Sequence, residues 1–310
     1  MLRLTLLLAL ALQAPGAPHF DSNRAWEDLR QLVAIGPRPA GSPAIEDTRK
    51  YIKRQLAAAG VSETDQAWDD RTPLGTVHMV NLIATIPGIP SAPSAPPAPS
   101  APSPGTDRII IAGHYDTKRI REFRFVGADD GGSSAAFLLE FARVLKAVKS
   151  PFTIELLFLD GEEAVVDWQG DDHTYGSRHY VEAARRAGTL GSARAMILVD
   201  MIGDRDLAIK RDENSTSWLT DIIWSAAAGI RLGAYFPQAS TRIEDDHLPF
   251  VEAGVPSVDV IDLDFAAWHT AGDNLDAVGA RSLQVVGDVL LAALPRIEAR
   301  LKAQGSGRKP

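Results

Sequence analysis

Several acids and two histidines fall where a short apolar run of this sequence stops. Residues 157–163, Leu157-Phe158-Leu159-Asp160-Gly161-Glu162-Glu163, read as a buried strand whose end projects carboxylates. Adjacent glutamates pointing in different directions can divide labour, one holding a metal while the other moves protons. His114 follows the run 109–112, Asp200 follows 195–199, and Trp268-His269-Thr270 follows 258–261. Gly127-Ala128-Asp129-Asp130-Gly131-Gly132 precedes a helical pattern, where an aspartate N-cap and a ligand carboxylate are both open readings that Asp129 and Asp130 can share.

Taken together these residues say more than each does alone. Asp130, Glu162, Glu163 and Asp200 meeting at one sheet edge would raise one another's pKa values and destabilise the fold, and a bound dication reverses that cost. Two carboxylates with one imidazole make a three-ligand zinc site with an open position, as catalytic zinc requires. The same donors suit manganese. The chain has no cysteine, so metal ligands must be nitrogen and oxygen, and no thiol nucleophile exists. No Gly-x-Ser-x-Gly elbow accompanies the acids, and there is no Walker-type loop.

The elements that must position these groups alternate β and helical patterns. Helices are expected near 45–59, 133–148, 175–187, 215–228 and 280–302, and strands at 77–86, 108–112, 154–159, 195–199 and 258–261. The last four strands carry apolar runs suited to burial on both faces. In open α/β sheets the carboxyl ends of such strands form the ligand crevice, which gathers residues distant in sequence. The length of 310 residues, less an atypical N-terminus, suits one large catalytic α/β domain over 18–305, followed by a flexible 306–310.

Residues 1–17 read as a secretory leader, with Arg3, an apolar run over 4–12, and small residues Ala14, Gly16 and Ala17. That run is too short to span a bilayer, no later run is apolar enough for stable membrane insertion, and the expected location is secreted or periplasmic. Without cysteine, an exported chain folds without disulfides and has no lipid-anchoring thiol. Residues 88–105 are dominated by proline, serine and alanine and read as an insertion in a loop of one domain. A formal charge of -8 without a basic stripe argues against nucleic acid as a partner. There is no internal repeat, and nothing in the sequence marks an oligomeric state.

Seven stretches together resemble the glutaminyl cyclases, within the clan of zinc exopeptidases and aminopeptidases. They are Gly36-Pro37-Arg38-Pro39-Ala40-Gly41-Ser42-Pro43, His114-Tyr115-Asp116-Thr117-Lys118, Phe125-Val126-Gly127-Ala128-Asp129-Asp130, Asp160-Gly161-Glu162-Glu163-Ala164, Tyr175-Gly176-Ser177-Arg178-His179, Asp245-Asp246-His247-Leu248-Pro249-Phe250 and Trp268-His269-Thr270. The His-x-Asp, Gly-Ala-x-Asp and Asp-Gly-Glu-Glu elements belong to the whole clan. Trp168, the Tyr-Gly-Ser-Arg-His and Asp-Asp-His-Leu-Pro-Phe segments, and Trp268 before His269 resemble the cyclases specifically.

The resemblance implies a three-layer α/β/α sandwich with a mixed central β-sheet, one zinc per chain on Asp130, Glu163 and His269, and Glu162 as proton shuttle. It makes Asp200 and Asp245 acidic partners of Glu162, with Asp200 the expected cause of a raised Glu162 pKa. Trp168 and Trp268 would wall the pocket, and Tyr175 to His179 would open a helix that supports the site. The implied substrates are peptides or proteins with N-terminal glutamine, cyclised to pyroglutamate with release of ammonia. The rival is a two-metal aminopeptidase, in which His114, Asp130 and Asp200 would hold part of a paired site. Three departures stand out: the proline-rich insertion, the lack of the disulfide of secreted animal cyclases, and Asp259 near where those enzymes place another histidine.

Overall fold

The computed structural model describes residues 18–89 and 107–306. The leader-like 1–17, nearly all of the proline-rich insertion and residues 307–310 lie outside the described residues. In chain order the elements are α1 (Ser22–Ile35), α2 (Pro43–Ala59), β1 (Ser62–Thr72), β2 (Gly75–Ile86), β3 (Arg108–His114), α3 (Gly132–Leu145), β4 (Thr153–Leu159) and α4 (Tyr175–Arg186). They continue with β5 (Ala193–Asp200), β6 (Arg211–Asp212), α5 (Ser217–Gly229), β7 (Ser240–Thr241), α6 (Leu248–Glu252), β8 (Ser257–Ile261) and α7 (Ala280–Ser306).

Six strands form one sheet in the order β1-β2-β4-β3-β5-β8. The pairs β1/β2 and β2/β4 are antiparallel, while β4, β3, β5 and β8 run parallel. Alternation along the parallel strands builds the layers. Ile109, Ile111, Leu156, Phe158, Ile197, Val199, Val258 and Val260 join a core with residues of α1, α2, α3, α5 and α7. Ile110, Ala112, Leu157, Leu159, Met196 and Leu198 point to the other face, where Tyr180 and Val181 of α4 and Phe250 of α6 cover them. The expected three-layer sandwich with a mixed sheet is what forms.

Local chemistry accounts for the helix boundaries. Asp21 caps α1 by accepting the N–H groups of Asn23 and Arg24 at 3.0 and 3.3 Å. Ser42 caps α2 through the Ile45 N–H at 3.2 Å, Pro43 follows at the first turn, and Gly60 ends the helix with φ 65°. Of the two readings open at 129–130, an aspartate N-cap before α3 is not the one that forms. Gly131, with φ 77°, occupies the cap with no side-chain bond, and the Asp129 carboxylate accepts the Gly203 N–H at 2.6 Å instead. A Cβ at position 131 would sit 2.3 Å from the Asp116 carbonyl oxygen and 2.9 Å from the His114 ring, so the site's packing requires glycine there.

The chain leaves β3 toward β4 on one side and returns to β5 on the other, which opens a crevice at the carboxyl ends of these strands. No helix among the described residues is long and apolar enough to cross a membrane.

Candidate active site

Strand ends deliver the polar residues to that crevice. His114 is the last residue of β3 and Asp200 the last of β5, while Glu162 and Glu163 follow β4 by a short turn. Asp130 precedes α3, and His269 stands on the loop after β8 with φ 53°, a left-handed backbone uncommon outside glycine and asparagine.

Asp130, Glu163 and His269 each offer a ligand atom, and these atoms lie within 4.8 Å of one another. His269 Nε2 is 3.2 Å from Asp130 Oδ2 and 3.3 Å from Glu163 Oε1. Both of those oxygens are buried and have no hydrogen-bond partner. Two orphaned carboxylate oxygens converging on one imidazole nitrogen fit a dication, because leaving them unpaired costs free energy in a buried site. The second Glu163 oxygen accepts from Lys118 Nζ at 3.2 Å, which fixes the carboxylate's orientation.

His114, Asp130 and Asp200 form another such group. His114 Nε2 lies 3.2 Å from Asp130 Oδ1 and 3.1 Å from Asp200 Oδ1, while Nδ1 faces Asp116 at 3.4 Å and Glu162 at 3.8 Å. The two groups share Asp130, one through each of its oxygens.

The electrostatics match the sequence expectation only in part. Burial pushes the Glu162 carboxyl well above its ordinary value, with the charges of Glu163, Asp245 and Asp246 adding to it against His114. Asp200 is not the cause. His114 stands between Glu162 and Asp200, and its imidazole answers the Asp200 charge. Asp245 is likewise held well above the carboxylate range by burial and by Asp200 and Asp246, and Glu163 is raised by burial and Asp130. Asp130 runs the other way, because His114 and His269 outweigh its burial and lower it. Mutual repulsion raising every acid was therefore too simple a picture.

Asp245 Oδ1 accepts the Asp246 N–H at 2.5 Å, and Asp246 accepts the Ser177 hydroxyl at 2.5 Å. Ser177 lies on α4, so the Tyr175 to His179 segment opens a helix and braces the acidic loop. Asp259 is fully buried on β8, raised well above its ordinary value by burial and by Asp245, Asp200 and Asp212, and lies 3.7 Å from His247.

A cavity of about 450 Å³ opens over these groups. Asp130, Glu162, Glu163, Asp200, Asp245 and His269 all line it, and so do Trp168 and Trp268. Trp268 is 44% exposed and therefore not a core residue. His114 is buried beneath the cavity floor and does not line it.

Sequence reasoning gave no role to the residues that hold this array, although Arg38 stands in one of the resembling stretches. Asp273 accepts the backbone N–H groups of Asp129 and Asp130 at 2.7 and 3.2 Å. Arg38, fully buried, donates to the carbonyls of Tyr115, Val126 and Gly127 at 2.8, 2.6 and 2.9 Å, joining the loops that carry His114 and Asp130. The one available signal for Asp273 was its position shortly after His269.

Fold and site define a member of peptidase family M28, and the chain belongs to that family, whose sequence model matches residues 98–294. The glutaminyl-peptide cyclotransferase of Drosophila melanogaster is 30% identical over 280 residues, covering 81% of this chain and 75% of its own. The crystal structure of an Acidobacteriales bacterium glutaminyl cyclase matches with TM-score 0.83 and 37% identity, over 95% of this chain and 100% of that one. A Bacteroides thetaiotaomicron structure described as a leucine aminopeptidase precursor matches with TM-score 0.76 and 25% identity, over 90% and 98% of the two chains. Within M28, the chain is a member of the glutaminyl-peptide cyclotransferase family.

Proposed function

We propose that this chain is a zinc-dependent glutaminyl-peptide cyclotransferase, converting the N-terminal glutamine of peptides or proteins to pyroglutamate with release of ammonia. The observation that carries the proposal is the convergence of the orphaned Asp130 Oδ2 and Glu163 Oε1 on His269 Nε2, in a tryptophan-lined cavity with Glu162 alongside. Asp130, Glu163 and His269 would hold one zinc per chain. Bound there, zinc supplies Lewis-acid polarisation of the glutamine side-chain carbonyl.

The substrate's own α-amine is the nucleophile. A bond forms between that nitrogen and the side-chain carbonyl carbon, and the bond from that carbon to the amide nitrogen breaks. Glu162 takes a proton from the attacking amine and delivers it to the departing nitrogen, which leaves as ammonia. Its pKa, raised by burial well above the ordinary carboxyl value, makes the carboxylate a stronger acceptor for the amine's proton than an exposed glutamate. Asp245, with Asp246, helps to maintain that shift, while Asp200 acts through His114. Trp168 and Trp268 confine the glutamine in a folded conformer, a proximity effect that can supply roughly 7 kcal/mol or more.

A second reading has its own support. His114, Asp130 and Asp200 also converge, and a two-zinc aminopeptidase would use them. Offering purified protein a glutamine-initiated peptide separates the two. Ammonia release with an otherwise intact product supports cyclisation, whereas loss of the first residue supports hydrolysis. The leader-like 1–17 supports a secreted or periplasmic location, which N-terminal sequencing of the exported protein tests.

A further inference from the structure

The segment between Glu163 and α4 leaves the metal-site acids, supplies Val166, Asp167 and Trp168 to the cavity, and returns to the body of the protein at Thr174. Apolar packing does little to hold it. Val165 joins a small cluster with Ala40, Met79 and Tyr175, but Val166 is 47% exposed and neither Val166 nor Trp168 belongs to an apolar cluster.

One buried carboxylate gathers this segment instead. Asp172 Oδ1 accepts the Val165 N–H at 3.1 Å and the Tyr175 hydroxyl at 2.6 Å, while Oδ2 accepts the Val166 and Asp167 N–H groups at 2.9 and 3.0 Å. Three consecutive amides are thus satisfied by a single side chain, immediately before Trp168. A short turn closes from the other side, with Gln169 N–H donating to the Asp167 carbonyl at 2.7 Å and Asp172 N–H to the Gln169 carbonyl at 3.2 Å. The neighbouring His173 ring stacks on the Trp168 indole at 4.2 Å between centroids and 9° between planes.

We propose that Asp172 is a positioning residue that fixes the Trp168 wall of the substrate pocket, through its bonds to the Val165, Val166 and Asp167 amides. Its role rests on the cavity being the glutamine pocket. The base of the segment is closed independently, since Thr174 N–H donates to the Glu162 carbonyl and Tyr175 N–H to the Gly161 carbonyl, both at 2.8 Å. Loss of the Asp172 carboxylate therefore loosens the wall and leaves Glu162 and Glu163 anchored. The effect falls on substrate binding, because a wall that must be ordered on binding costs affinity.

The test compares wild type with Asp172→Ala, Asp172→Asn, Trp168→Ala, the double variant Asp172→Ala/Trp168→Ala, and Asp171→Asn as an exposed neighbour. On a glutamine-initiated peptide, Asp172→Ala is expected to raise KM about tenfold with kcat within about threefold of wild type and zinc content unchanged. Asp172→Asn is expected to fall between the two, and Asp171→Asn to match wild type. In the Trp168→Ala background the Asp172→Ala effect on KM should largely vanish. Hydrogen exchange of the 164–174 amides, read by mass spectrometry without substrate, should quicken in Asp172→Ala and stay unchanged around 127–131. Unchanged exchange, wild-type KM, or full additivity with Trp168→Ala each overturns the role of Asp172. Wild-type protein that cyclises no peptide overturns the reaction instead, and the exchange result still judges the wall.

Discussion

Asp273 holds Asp130 from behind: its Oδ2 accepts the Asp130 N–H at 3.2 Å, while its Oδ1 takes the Asp129 N–H at 2.7 Å. Asp273 shares a loop with His269, so this clamp ties the backbone that carries one proposed metal ligand to the backbone that carries another. Groups that orient ligands without touching the metal commonly contribute 10- to 100-fold to metal affinity. Asp273→Ala should weaken zinc binding by about that range, as measured by competition with a chromogenic chelator. Wild-type affinity in a folded variant would contradict the clamp's importance.

Removing the proposed metal donors should be more severe. Glu163→Gln and His269→Ala are each expected to lose stoichiometric zinc, seen by elemental analysis after desalting, and with it turnover. Dialysis of wild type against a chelator should do the same, and added zinc should restore activity. Full activity in chelator-treated protein that holds no metal would exclude a metal role.

Glu162 should separate chemistry from metal binding. Glu162→Gln keeps the shape but cannot carry the proton, so kcat is expected to fall by at least about 100-fold with one zinc still bound. Near-wild-type turnover in that variant would remove Glu162 from the mechanism.

The buried acids also set a pH dependence of stability in the metal-free protein. Burial above all raises the carboxyls of Asp160 to about 6 and of Asp246 and Asp273 to about 7. Each binds its proton more tightly folded than unfolded. Its contribution is complete below the ordinary value of 3.8 and is lost as pH rises through the folded value. His269, against its burial, is raised by Asp130 and Glu163 to about 9, so its contribution holds below 6.5 and is lost on the way to 9. The half-exposed His173 and His179 are lowered, chiefly by burial, and oppose this weakly near their ordinary 6.5. The lowered Asp130 matters only in acid. Thermal melts of metal-free protein should therefore show a Tm about 5 °C or more lower at pH 9 than at pH 5. Zinc should stabilise more as pH rises, since its ligands must be deprotonated. A metal-free Tm that is flat or rising over that range would contradict the assignment of raised groups.

What the sequence disclosed follows from how short-range its signals are. Buried parallel strands are continuous apolar runs, so β3, β4, β5 and β8 and the polar residues at their ends were legible. The edge strand β1, Ser-Glu-Thr-Asp-Gln-Ala-Trp-Asp-Asp-Arg-Thr, lies largely in solvent and carries no such run. Helix α1 buries only Ala25, Asp28, Leu29 and Leu32, which leaves a sparse stripe. Within the site, residue types and strand ends gathered the acids and histidines at one edge, and the family resemblance singled out Asp130, Glu163 and His269. Asp273 and Arg38 bond backbone amides or carbonyls of other loops and Asp172 bonds amides of its own segment, and backbone groups carry no sequence signature. The Glu162 environment was misjudged for a related reason: only three dimensions show that His114 lies between it and Asp200.

Zinc titration of metal-free protein, with cyclisation of a glutamine-initiated peptide followed by product mass and ammonia together, tests the one-zinc cyclase most directly. Activity should rise linearly to one equivalent of zinc per chain and then level, every product molecule having lost ammonia and no residue. A plateau only at two equivalents, with the first residue released as a free amino acid, would contradict it and favour the two-metal aminopeptidase.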